Sequence, residues 1–159
     1  MTGTDIALYR LDKTYAQLRP AKVFRLTSAP VRAGDALTLA ATSTRLNCTA
    51  KAVVPHLREG GYEQDAAIRY ASGPGCAPWH GTSGAALLGP DGTTVVGIHN
   101  THNDSGEQCS ADNPCEVDPA GAVTSVPGRG YGRQVAGIAA CLQGSEVDLT
   151  RPGCPLTGA

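Results

Sequence analysis

The chain has 159 residues, 41% of them hydrophobic and 17% charged, with a formal net charge of -1; this is the length of one domain, able to bury roughly two-thirds of its unfolded surface. There is no basic run and only 4% of residues are aromatic, so the electrostatic and stacking footprint of a nucleic-acid binder is missing and no nucleic-acid partner is expected. No apolar run approaches the roughly 18 residues of a membrane span, so no membrane partner is expected, and the opening "MTGTDIALYRLDK" lacks the charged start, apolar middle and cleavage site of a signal peptide.

The 20 glycines and 11 prolines predict short strands joined by turns, a mostly β architecture. "TDIALYRL" (Thr4–Leu11) alternates as a strand buried on both faces, and "AKVFRLTS" (Ala21–Ser28) repeats the pattern after Pro20. "AGDALTLAATS" offers a Gly34-Asp35 turn and a strand with Leu37 and Leu39 on one face, and "NCTAKAVVPH" a strand stopped by Pro55, which cannot donate to a ladder. "AAIRYAS" leads into a turn at Gly73-Pro74-Gly75. "GAALLGPDGTTVVGIHN" reads as a hairpin around Gly89-Pro90-Asp91-Gly92. Asn103 to Gly130 turns polar and reads as an elaborated surface loop around a short "AVTSV" strand. In "YGRQVAGIAACL" (Tyr131–Leu142), Val135, Ile138, Ala139 and Leu142 fall at helical spacing and predict the one α-helix. Seven or so short strands with regular turns suggest a closed barrel or a sandwich.

Six cysteines, an even number in Pro- and Gly-containing segments, suit disulfides and an exported protein. The near neighbours suggest Cys109 with Cys115 and Cys141 with Cys154, which leaves Cys48 with Cys76 by elimination. The rival reading is zinc held by His99, His102, Cys109 and Cys115, but no Cys-x2-Cys or His-x3-His pair supplies the usual chelating geometry. No metal and no cofactor are expected. Asn47-Cys48-Thr49 and Asn103-Asp104-Ser105 are formal glycosylation sequons, read as chance.

Gly81-Thr82-Ser83-Gly84 places a serine between glycines just before the predicted hairpin. Such flanks permit a tight turn that exposes the hydroxyl, and the amides of Gly81 and Ser83 could converge as an oxyanion hole. "GTSGAALL…TTVVGIHN" resembles the Gly-Asp-Ser-Gly-Gly-Pro-Leu region of trypsin-like (chymotrypsin-fold) serine proteases, and "TDIALYRL" resembles the strand carrying their catalytic aspartate. The "CEVD…YGRQ…C…DL…PGC" tail is similar to the secreted actinobacterial type. The resemblance implies an all-β, chymotrypsin-like Greek-key β-barrel with a C-terminal α-helix. Residues 1–30 would be remnant strands of a first barrel and linker, 31–130 the second barrel with the nucleophile, and 131–159 the helix and a disulfide-closed tail. It implies a secreted endopeptidase acting on peptide or protein substrates through an acyl-enzyme, with Ser83 as nucleophile and Asp5 as the carboxylate that orients the histidine. Gly81 and Ser83 would be the oxyanion-hole donors. Gly75 to His80 and Asn100, Thr101 and His102 would flank the substrate pocket. Thr82 stands where the family has aspartate, so the salt bridge from that aspartate to a cleaved N-terminus cannot form; Ala85 and Ala86 stand where it has Gly-Pro.

In this family the catalytic histidine precedes the aspartate on the first barrel, and only four residues precede Asp5. The expectation is therefore the C-terminal portion of a longer protease, with its histidine elsewhere and an exposed face inviting self-association. His56, His80, His99 and His102 are the available bases; His80 is nearest in sequence but lies inside the turn, where a side chain normally points away. A catalytically silent, protease-like binding module is the alternative, and an unrelated disulfide-rich β protein the third.

Overall fold

A computed structural model describes residues 5–18, 22–70 and 73–156. Its strands are β1 (Arg25–Leu26), β2 (Ala36–Ala40), β3 (Arg45–Glu59), β4 (Tyr62–Tyr70), β5 (Ala86–Leu88), β6 (Thr94–His102), β7 (Cys115–Val117), β8 (Val123–Thr124), β9 (Gly130–Gln134), β10 (Leu142–Gln143) and β11 (Glu146–Val147). Six of them close a ring of antiparallel pairs in the order β2-β5-β6-β9-β4-β3 and back to β2. The ring runs through Leu39↔Leu87, Leu87↔Gly97, His99↔Gly132, Gly132↔Ile68, Ile68↔Val53 and Leu46↔Leu39. The fold is an all-β barrel.

Alternation explains the inward set. Leu37, Leu39, Cys48, Ala50, Ile68, Tyr70 and Leu87 form one buried cluster with Val31 and Cys76, and Val54, Leu57, Ala67 and Tyr131 a second. Outside the ring, β7 pairs with the far end of β3, β8 pairs with β7, and β1 runs parallel to the start of β6. The β5–β6 hairpin is built by Asp91: its carboxylate accepts from the Thr93 and Thr94 amides and the Thr94 hydroxyl, contacts that hold its pKa far below the usual carboxylate range. The cysteines form Cys48–Cys76, Cys109–Cys115 and Cys141–Cys154 disulfides.

Four expectations require correction. No α-helix occupies Tyr131–Leu142: Tyr131 to Gln134 lie in β9 and Ile138–Cys141 is a single 3-10 turn. The buried residues Val135, Ile138 and Cys141 recur every third position, the 3-10 period. A Cβ on Gly132 would lie 2.6 Å from Leu87 Cδ1 and 2.8 Å from the Ile98 carbonyl, so this glycine exists for close strand approach. The N-terminal run is irregular over 5–11, with Tyr9 84% exposed. Its contacts, the Asp5 amide on the Tyr62 hydroxyl and Arg10 on Glu146, supply no ladder. Of the second expected strand only Arg25–Leu26 forms. Pro55 does not stop β3: it falls between the pairs Val54↔Ala67 and His56↔Asp65, next to Ala66 at φ +52° on the facing strand, where no ladder pair forms and no donor is needed. Thr4, Ala21, Ala71 and Ser72 of the expected strands lie outside the described residues.

Candidate active site

The segment between β4 and β5 carries Ser83. Cys76 is bonded to Cys48 on β3, and Pro78 is buried. Thr82, 1% exposed, donates from its hydroxyl (2.6 Å) and its amide (3.0 Å) to the Trp79 carbonyl. The inward Thr82 thus anchors the turn, and its neighbour Ser83 is pushed outward. Gly81 and Gly84 hold φ of +97° and +84°, a conformation that side chains with a Cβ rarely adopt. The Gly84 amide donates to the His99 carbonyl (2.8 Å) and the His99 amide to the Ala85 carbonyl (2.8 Å), which ties the turn to β6.

Ser83 is exposed and donates to the Asn100 carbonyl at 3.1 Å. It lines an open cleft of about 320 Å³ formed by Ala40, Ala41, Thr42 and the 81–86 segment. The amides of Gly81 and Ser83 have no protein acceptor among the described residues. Two unpaired donors flanking an exposed hydroxyl are what an oxyanion site needs.

Asn100 sits at an irregularity in β6, where pairing with β9 jumps from His99↔Gly132 to Thr101↔Tyr131. A bulge turns the local backbone, and here the bulged residue's carbonyl is the one that meets Ser83. The Asn100 side chain donates to Gln64 Oε1 (2.8 Å), while its own Oδ1 is buried without a partner among the described residues. Thr101 is buried, and nearby Glu59 has its pKa raised by burial although Thr101 and the Asp112 amide, which donates to its carboxylate, act to lower it. Asp5 stands at the turn end of the β3–β4 hairpin beside Glu59 and Tyr62. Asp5 and Ser83 share no hydrogen bond.

None of the four histidines bonds Ser83 among the described residues. His56 pairs with Asp65 (2.6 Å), and His80 and His102 both pair with Asp104 (2.8 and 2.9 Å). The Asp104 contact raises the His80 pKa. His99 is fully buried: Nδ1 donates to the Tyr131 carbonyl at 3.0 Å and also meets the Tyr70 hydroxyl, while Nε2 has no partner among the described residues. Burial lowers its pKa to about 4, so it is a neutral core imidazole at neutral pH. Cys109 and Cys115 are joined to each other and offer no thiolate, so the four-residue zinc set with His99 and His102 does not form. Sequence reasoning missed the Asn100 bulge and the sharing of Asp104 between two histidines; the alternation of Gly97, His99 and Thr101 was the available sign of which β6 positions are buried. No helix among the described residues is long and apolar enough to cross a membrane.

Comparison of the chain with protein-family models, with curated proteins and with solved structures finds no match in any of the three.

Proposed function

We propose that this chain carries the nucleophile-bearing barrel of a secreted serine-type endopeptidase of the trypsin-like, chymotrypsin-fold class. The observation that carries the reading is the Ser83 turn: an exposed hydroxyl at an open cleft, held over β6 and flanked by the unpaired amides of Gly81 and Ser83. The strand order β5-β2-β3-β4 supports the fold part, since a fourth strand returning beside the first is the Greek-key arrangement. Three disulfides support an oxidising, extracellular compartment.

In this reading the Asn100 carbonyl holds the Ser83 hydroxyl until substrate enters. The Ser83 oxygen then attacks the scissile carbonyl, and the Gly81 and Ser83 amides receive the developing oxyanion. The proton passes to a histidine supplied from outside these residues, oriented by Asp5, and then to the leaving amine. The substrate residue before the cleaved bond lies between 75–80 and Asn100, Thr101 and His102. Without the histidine, turnover falls by about a millionfold, with roughly a thousandfold over water left from the oxyanion hole and binding.

The test is labelling of the purified chain by a fluorophosphonate, with free imidazole added as a diffusible base. Labelling that rises with imidazole and vanishes in Ser83→Ala is the expected result. Absence of label at every imidazole concentration overturns the reading. That outcome favours the second reading, a protease-like binding module, for which the observation is that Ser83 donates to a main-chain carbonyl and meets no histidine.

A further inference from the structure

Beside the serine turn, His80, His102 and Asp104 bring one ligand atom each to within 4.8 Å of one another. One carboxylate serves both imidazoles: His80 Nε2 lies 2.8 Å from Asp104 Oδ2 and His102 Nε2 2.9 Å from Oδ1. The two rings meet edge-on, 5.1 Å between centroids. We propose that these three side chains bind a divalent transition-metal ion, Zn²⁺ being the best fit, with the remaining position left to water.

Two imidazole nitrogens and one carboxylate oxygen suit Zn²⁺ and its transition-metal neighbours, whereas Mg²⁺ and Ca²⁺ prefer oxygen throughout. Bonds of about 2.0–2.2 Å to a common tetrahedral centre place donor atoms about 3.3 Å apart. The histidine–aspartate separations, 2.8 and 2.9 Å to the two different oxygens of Asp104, are shorter than that span, and all three donor atoms lie within 4.8 Å of one another, so a small rearrangement of the exposed His80 brings them round one centre.

Two of the three ligands are held by the fold. His102 ends β6, its side chain 14% exposed. Asp104 follows after Asn103, which is fully buried and donates to the Pro114 carbonyl and the Ser125 hydroxyl, both at 2.9 Å. The Asn103 carboxamide oxygen accepts from the Gly106 amide, and the Asp104 amide donates to the Asp112 carbonyl. These bonds fix the backbone on both sides of Asp104. His80 is the adjustable member, its side chain 67% exposed on the loop tied down by the Thr82–Trp79 bonds. An ion here would join that loop, at His80 three residues before Ser83, to the end of β6 at His102. The proposal does not depend on any chemistry at the serine.

The experiment is calorimetric titration of the intact, disulfide-bonded chain with Zn²⁺ alone, repeated for His80→Ala, Asp104→Asn and His56→Ala. The expected result is one ion per chain, bound on the order of a hundredfold or more weaker in the first two variants, since loss of a ligand exceeds the tenfold to hundredfold effect of a supporting partner. His56→Ala, which disturbs a histidine–aspartate pair elsewhere, leaves binding unchanged. A hundredfold excess of Zn²⁺ over its Kd raises the Tm by about 5 °C or more, and His80→Ala, exposed enough to keep the metal-free Tm, abolishes the rise. No uptake of Zn²⁺ up to millimolar concentration, equal uptake by His80→Ala and Asp104→Asn, or equal uptake of Mg²⁺ overturns the proposal.

Discussion

At Ser83 a single side chain has its surroundings set by its neighbours: Thr82 points in, so Ser83 points out, and the bulged Asn100 offers its carbonyl to the hydroxyl. His99, next to Asn100, makes a different prediction. It stays neutral in the folded chain down to pH about 4 because burial disfavours its charged form, whereas an unfolded histidine takes its proton near pH 6.5. The unfolded state therefore binds the extra proton between these values. Stability from this group is complete above pH 6.5 and is lost as pH falls towards 4. At about 1.4 kcal/mol per pH unit, the window amounts to about 3 kcal/mol. Urea unfolding at intervals from pH 7.5 to 4 checks this, with His99→Gln flattening the profile by about that amount; a variant profile as steep as the wild type would exclude His99 as the cause.

Among the elements, β9 is the most constrained, entering between β4 and β6 with glycine where a methyl has no space. Gly132→Ala should destabilise by about 2–3 kcal/mol, because Leu87 and the Ile98 carbonyl must both move. That is a Tm fall of about 5 to 10 °C, read by thermal unfolding. The same element shows where sequence reading ends. The β5–β6 hairpin was legible because Asp91 and Gly92 carry their turn chemistry locally, and Ser83 was legible because glycines flank it. The Gly60-Gly61 turn between Glu59 and Tyr62 carried a comparable signal but was hidden by the weight given to Pro55, whose tolerance depends on a break in the β3–β4 pairing that only the assembled sheet defines. Apolar residues three apart after Gln134 fit a helix or a 3-10 turn equally until β9 is seen between its neighbours. Alternation in 5–11 had no partner to make it a strand. His80, His102 and Asp104 come together only when the 76–84 loop packs on β6, a non-local event without a local sequence signature.

For the whole molecule the disulfides supply a large share of the marginal stability expected of a chain of this length. Loop-closure entropy gives about 3.5 kcal/mol for the 28-residue separation of Cys48 and Cys76, about 3 for the 13 residues between Cys141 and Cys154, and about 2 for the 6 between Cys109 and Cys115. Cys48→Ala/Cys76→Ala should therefore lower the Tm most, by about 7 to 14 °C, and the two shorter bridges progressively less; an inverted order in differential scanning calorimetry would refute the entropic ranking. The closed ring has a consequence for how the chain is made. Its β2–β3–β4 and β5–β6 staves are contiguous in sequence, but the gap between β4 and β6 is filled by β9, paired across Ile68↔Gly132 and Ile98↔Arg133. At roughly 5–20 residues per second of synthesis, several seconds separate completion of β4 from the arrival of its second neighbour. Until then Ile68, and Leu87 once it is made, lack their cover, so a nascent chain holding five of its six staves is open and adhesive and shuts only when residue 134 is delivered.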